Sequence, residues 1–153
     1  MTDAINTREA APLQVLDSRQ CWAYLQQEEL GRLAVTLRGE TEIFPVNYLA
    51  DQGRIVIRTS PGTKLVGLLI NNRVTFEIDG YDDNTAWSVI VKGLAAELPS
   101  ELPPNQQRAL PVSWAPGARD TIVEITPDSV SGRFFHSRPR TAASNAERPS
   151  EKQ

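Results

Sequence analysis

Arg58-Thr-Ser-Pro-Gly-Thr-Lys64 places two cations, three hydroxyls and a glycine within seven residues. These are groups that a phosphate needs. Hydroxyls supply short donors, the Arg guanidinium offers a planar fork that matches phosphate oxygens, and Lys adds a point charge. The stretch also stands where a period-two pattern (Arg54-Ile-Val-Ile-Arg-Thr59) passes into an apolar helical run (Leu65-Val-Gly-Leu-Leu-Ile70). A helix starting there would add unpaired N–H groups and the positive end of its dipole. The same residues also describe a capped helix with two solvated cations, because Ser and Thr are ordinary N-cap residues. The stretch alone leaves both readings open.

Other chemistry has less to work with. The single histidine, His136, and the single cysteine, Cys21, make His-rich metal sites, Ser-His-Asp triads and internal disulfides poor expectations, and no metal site is expected. Glu77 and Asp79 share one strand face, which simple alternation accounts for as a solvated face. A net charge of −3 argues against a general nucleic-acid binder, which needs a basic face. No apolar run reaches the length that spans a bilayer, and the first residues carry acid where a secretory signal would be basic. The expected location is the cytoplasm, with neither nucleic acid nor membrane as partner.

A chain of 153 residues is long enough for one domain with a real core. Residues 1–12 read as a disordered leader, 13–136 as the folded domain and 137–153 as a disordered tail. Asp17 and Gln20 have capping-box spacing, and Cys21, Trp22 and Leu25 share a face, predicting a helix over 18–28 closed by Gly31. Leu33, Val35 and Leu37 then alternate with Arg32, Ala34 and Thr36, a strand with one buried face. Turns at Arg38-Gly-Glu40 and Asp51-Gln-Gly53 separate two further strands, Glu42 to Ala50 and Arg54 to Thr59. Pro45 cannot donate to a ladder, so its strand is bulged or has an unpaired edge there. A short helix from Lys64 to about Asn71 follows, then strands from Arg73 to Tyr81 and from Trp87 to about Leu98, with a bend or bulge at Gly93. One helical turn over Gln106–Leu110, a rigid loop around Trp114, a strand over Thr121–Thr126 and a short last strand over Val130–Phe135 complete the reading. The pattern is a mainly β fold: a small antiparallel barrel of six or seven strands with a few short helices at its margins.

The order of these features resembles a known family. Gly31-Arg-Leu-Ala-Val35, Phe44-Pro-Val-Asn-Tyr48, Ile57-Arg-Thr-Ser60 and Gly62-Thr-Lys64 look like the pyridoxamine 5′-phosphate oxidase-like, FMN-binding split-barrel proteins. Trp87-Ser-Val-Ile-Val-Lys-Gly93, Trp114-Ala-Pro-Gly-Ala-Arg-Asp120 and Ser131-Gly-Arg133 are similar to the same group. The resemblance implies a six- to seven-stranded antiparallel split β-barrel, a homodimer with FMN in clefts between its subunits. It places the flavin phosphate on Arg58, Thr59, Ser60, Thr63 and Lys64. The isoalloxazine ring would lie along Pro45, Val46, Asn47 and Tyr48. Trp87 and Ser88, with Trp114 and Arg119 behind them, become contacts from the partner subunit. The implied function is an FMN-dependent oxidoreductase reduced by NAD(P)H, with a substrate that the motifs do not specify. A flavin carries its own redox chemistry, which suits a chain without an acid/base constellation. The alternatives are a deazaflavin-dependent reductase, for which Arg32, Arg38 and Arg54 would line the groove, and a non-catalytic flavin- or haem-binding module. Haem would have to use His136. Arg133-Phe-Phe-His136 lacks the Arg-x-His spacing of a substrate clamp, and the barrel segments lack the histidine of nitroimidazole-resistance relatives, so pyridoxamine-phosphate oxidation itself is not expected.

Replacing Lys64 by Ala removes one charge-assisted phosphate contact. It is expected to weaken FMN binding by about 1.5–3 kcal/mol, roughly ten- to a hundred-fold, in a fluorescence titration. An unchanged dissociation constant would mean that the phosphate sits elsewhere.

Overall fold

A computed structural model of the chain describes residues 13–59, 72–99 and 121–136. The expected leader, the helix after Lys64, the turn at 106–110, the Trp114 loop and the tail lie outside these residues. The described elements run β1 (Leu13–Leu16), α1 (Ser18–Gln27), β2 (Leu30–Leu37), β3 (Glu40–Asp51), β4 (Arg54–Thr59), β5 (Arg73–Tyr81), β6 (Thr85–Leu98) and β7 (Thr121–His136).

Short turns dictate the first half. Arg38 and Gly39 (φ 51° and 84°) join β2 to β3, and Gln52 and Gly53 (φ 48° and 76°) join β3 to β4. Two consecutive positive φ values are the signature of the type I′ turn, whose twist matches that of paired strands, and Gly at its second position avoids the Cβ clash. The next hairpin is held differently. The Asp82 carboxylate accepts from the N–H groups of Asn84 (2.8 Å) and Thr85 (2.7 Å), contacts that hold its pKa below the usual carboxylate range.

All described strand pairs are antiparallel, in the order β1-β7-β4-β3-β2-β5-β6, and an additional β6–β7 ladder closes the sheet on itself. Six strands therefore form a split barrel, with β1 as a seventh strand on β7. Alternation sends Leu33, Val35, Phe76, Ile78, Val89 and Val91 inward, each at most 1% exposed. The expected bulge is present between Lys92 and Gly93, where β6 and β7 change register. A side chain at Gly93 would run into the Thr126 carbonyl, so glycine is required by close backbone approach.

Three expectations need correction. The two short strands expected over 121–135 are one strand, β7, because its second half pairs with β6 on one edge and β1 on the other. β1 itself was not anticipated; four residues beside a proline carry too little pattern to stand out. Gly31 does not close α1. Glu28 is the C-cap, and Gly31 lies inside β2, where a Cβ would collide with the Phe76 ring.

Helix α1 covers one end of the barrel. Its start is the anticipated capping box: Asp17 accepts from the Gln20 N–H (2.8 Å) and Gln20 accepts from the Asp17 N–H (2.9 Å). Cys21 and Leu25 are fully buried, and Gly132 on β7 leaves room for the Cys21 sulfur. The last turn of α1 is pinned to β3 by Tyr48, whose hydroxyl donates to the Leu25 carbonyl (2.8 Å) while its N–H donates to Glu29 O (3.0 Å). Its ring, 2% exposed, meets Phe76 edge-on at 4.8 Å.

Two outcomes follow from this packing. Gly31→Ala forces Phe76 out of place and is expected to cost about 1–3 kcal/mol, read as a lower urea midpoint. Tyr48→Phe leaves the Leu25 carbonyl buried without its donor and is expected to cost about 1–3 kcal/mol. Burial, and then the Glu28 charge, push the Tyr48 phenol well above its ordinary value. The unfolded chain therefore loses this proton first, and the stability tied to Tyr48 is complete below about pH 10 and lost as pH rises further. Alkaline denaturation should be correspondingly shallower in Tyr48→Phe than in the parent; identical alkaline profiles would contradict this.

Candidate functional site

The site begins where β3 and β4 part. Their ladder runs from Asp51↔Arg54 to Tyr48↔Ile57 and stops, although both strands continue. Beyond that point β4 stays paired to β7 through Arg58↔Ile122 and Thr59↔Thr121, whereas β3 stays paired to β2 through Asn47↔Leu30 and Pro45↔Arg32. The two strands thus follow different neighbours, and the edge of β3 from Glu40 to Val46 that faces away from β2 has no strand partner among the described residues. Tyr48 stands at the fork. Its two hydrogen bonds to the end of α1 and to Glu29 draw β3 toward the helix side.

The proline is accommodated by this geometry rather than by a bulge. The β2–β3 register is unbroken from Leu30↔Asn47 to Leu37↔Glu40. Tyr48 directs its N–H to the β2 side, so Pro45, an odd number of residues away, directs its nitrogen to the edge without a partner. Of the two forms expected for Pro45, the structure adopts the unpaired edge.

The anticipated site residues divide by face. Pro45 is exposed and Asn47 half-buried, while Val46 packs against the core and Tyr48 is buried in it. Any ligand along this strand therefore meets its backbone, Pro45 and Asn47, and not the Tyr48 ring. Arg58 and Thr59 are half-buried at the end of β4, with the Arg58 Nε buried, and as adjacent strand residues their side chains leave opposite faces of the sheet. Ser60, Thr63 and Lys64 follow immediately in sequence but lie outside the described residues, as do Trp114 and Arg119. The donor set at the fork, an Arg and a Thr leading into further hydroxyls and a Lys, suits a phosphate monoester or diester.

Trp87 and Ser88 face opposite sides of the sheet. Adjacent strand residues face opposite ways, and Trp87 turns inward to stack on Tyr24 of α1, with ring centroids 4.4 Å apart and planes at 28°. Gly80, its cross-strand neighbour, is without a side chain where the indole lies. Ser88 faces outward between Asp79 and Arg133. Nothing in the spacing of the chain identifies Tyr24 as the partner of Trp87; the stack exists because α1 covers this end of the barrel.

Charges expected to be solvated are in fact partly paired. One nitrogen of Arg32 donates to both Glu77 (2.8 Å) and Asp79 (2.6 Å), and Arg54 donates to Glu124 (2.6 Å). Burial, and then the Asp79 charge, push the Glu77 carboxyl up against the pull of Arg32. Burial likewise pushes the Cys21 thiol up, which keeps it protonated and inert. His136 packs edge-to-face on Phe134 at 5.2 Å. Among the described residues no group of His, Cys, Asp and Glu could hold a metal ion, and no helix is long and apolar enough to cross a membrane. The described side chains offer binding and positioning, not a set of acids and bases arranged for catalysis.

Comparison with known proteins places this geometry. The family model described as pyridoxamine 5′-phosphate oxidase matches residues 17–134. An uncharacterised protein of Mycobacterium tuberculosis is 32% identical over 124 residues, covering 76% of this chain and 82% of that protein. The solved structure of a FAD-binding protein from Mycobacterium smegmatis superposes with a TM-score of 0.65 at 32% identity, covering 81% of this chain and 99% of that one. A FAD-binding protein from Mesorhizobium loti superposes with a TM-score of 0.68 at 25% identity, covering 80% and 97%. The matched region takes in every described element except β1 and the last residues of β7, and the structural relatives share the split barrel with flavin-binding proteins. The chain belongs to the pyridoxamine 5′-phosphate oxidase family.

Proposed function

We propose that the fork between β3 and β4 is a flavin site and that the protein is a flavin-dependent oxidoreductase. The observation that carries this reading is the end of the β3–β4 ladder at Tyr48↔Ile57, directly beside Arg58 and Thr59. The phosphate would be held by Arg58 and Thr59 with Ser60, Thr63 and Lys64, and the ring would lie along Pro45 to Asn47. A bound flavin supplies the two-electron chemistry that the side chains lack. The protein's part is to grip the phosphate, orient the ring against the strand backbone and shield one face from water.

The ribityl phosphate is common to FMN and FAD, so the donor set suits either. FMN is what the motif order suggests; the relatives from M. smegmatis and M. loti are FAD-binding proteins, which favours FAD for this chain. Deazaflavin is less well supported, because Arg32 and Arg54, which would have lined its groove, are engaged by carboxylates. NAD(P)H is the proposed reductant, a homodimer the proposed assembly and the cytoplasm the proposed location.

The test is an absorption spectrum of the purified protein followed by titration with FMN, FAD and deazaflavin, and anaerobic addition of NADPH and NADH. Tight binding of FAD or FMN, and bleaching of the bound flavin by a nicotinamide, are expected. Arg58→Ala should weaken flavin binding by roughly ten- to a hundred-fold. Protein that is colourless and takes up neither flavin at micromolar concentration would overturn the cofactor; bound flavin that no nicotinamide reduces would overturn the proposed reductant.

A further inference from the structure

Tyr48 occupies the position in β3 where the strand changes neighbours. Up to Asn47 its residues match β2, from Leu37↔Glu40 to Leu30↔Asn47; from Tyr48 onward they match β4, from Tyr48↔Ile57 to Asp51↔Arg54. The Tyr48 N–H donates to Glu29 O (3.0 Å), one step past the last β2 pair. Backbone groups of successive strand residues leave by opposite edges, so the N–H and C=O of Asn47 leave by the edge away from β2. Continued by one rung, the β3–β4 ladder would set Asn47 opposite Arg58, and that rung is the first one missing among the described residues. Pro45 follows on the same edge with a carbonyl and no N–H. Beside the end of β4, the edge thus presents a donor and an acceptor at Asn47 and an acceptor alone at Pro45.

The Tyr48 side chain fixes this crossing. Its ring is buried and meets Phe76 edge-on at 4.8 Å, and Phe76 in turn fills the space that Gly31 leaves in β2. Its hydroxyl donates to the Leu25 carbonyl (2.8 Å), one of those that the end of a helix leaves without an intrahelical donor. Burial pushes the phenol well above its ordinary value, so the donor keeps its proton. The same last turn of α1 carries Tyr24, which stacks on Trp87 of β6 and accepts from the Glu28 N–H (3.3 Å). The turn is therefore fixed to the barrel wall on one side and holds β3 on the other.

We propose that Tyr48 is a positioning residue for the flavin: its hydroxyl, held by the Leu25 carbonyl, keeps β3 turned away from β4 and so keeps the Asn47 rung open to the ligand. The inference rests on the flavin reading of the fork and adds to it a part for α1. Tyr48 acts through Asn47 and Pro45, because its own ring is buried on the core side of the strand. Coupling of this kind is reciprocal. A ligand that fills the edge tightens the last turn of α1, and loosening that turn loosens the ligand.

Tyr48→Phe removes the hydroxyl and keeps the ring. Titrated with FAD and with FMN where far-UV circular dichroism shows it folded, it is expected to raise the flavin dissociation constant roughly tenfold. The visible circular dichroism of the bound flavin should change with it. Asp17→Ala is the control, because it breaks the capping box at the other end of α1. It should lower the urea midpoint and leave the dissociation constant and the flavin spectrum as in the parent. Loss of stability alone would move both variants alike. Hydrogen exchange adds a readout that needs no flavin: amides over residues 44–48 should exchange faster in Tyr48→Phe and not in Asp17→Ala. In the parent, added FAD should slow exchange over residues 24–29 more than over residues 17–20. Tyr48→Phe with the parent's affinity and flavin spectrum overturns the proposal, and so does Asp17→Ala with an equal loss of affinity. If Tyr48→Phe fails to fold, the parent's response to FAD decides, and a last turn that FAD leaves unaltered overturns it. If the parent binds neither flavin, the exchange comparison decides. Faster exchange in Tyr48→Phe alone then upholds the tether and overturns the cofactor reading, whereas unaltered exchange overturns both.

Discussion

Strand β7 is paired along both edges, and the barrel depends on that. One edge takes β6 along almost its whole length; the other takes β4 over Thr121–Ile125 and then β1 over Gly132–Phe135. Without this strand the sheet would be open, with the edges of β4 and β6 both exposed. The constraint has a geometric cost at Gly93 and Gly132, where a neighbouring carbonyl in one case and the Cys21 sulfur in the other come too close for any side chain. Those glycines are part of the closure, not of a turn.

The fork is a consequence of the same closure. β4 is committed to β7, and β3 is committed to β2 and, through Tyr48, to α1. The two strands remain together for a few residues and then must diverge. A backbone edge without a strand partner among the described residues is notable because unpaired N–H and C=O groups are costly unless something else satisfies them. Pro45 lowers that cost by removing one donor from the exposed side. The fold therefore produces an open edge on β3 beside the end of β4.

Much of this was legible before the structure. The capping box at Asp17, the paired turns at Gly39 and Gly53, the inward set of β5 and the bulge at Gly93 all rest on local rules: a side chain capping its own helix, a φ value only glycine tolerates easily, an alternation of period two. Arg58 and Thr59 stood out by residue type, and the structure places both at the end of β4. β1 was not visible, since its four residues become a strand only against β7. Nor was the division of Trp87 from Ser88, whose surroundings come from α1 on one side and β5 and β7 on the other.

The sequence by itself determined the class of fold, the positions of turns and the buried face of the strands. These follow from interactions a few residues in range, which a linear pattern records. Only the tertiary structure decided where β3 and β4 separate, that Arg32 is paired with Glu77 and Asp79, and that the Tyr48 side chain is a buried tether to α1. Each of these is settled by partners distant in the chain, and a pattern of residues says which groups seek a partner without saying which one they find.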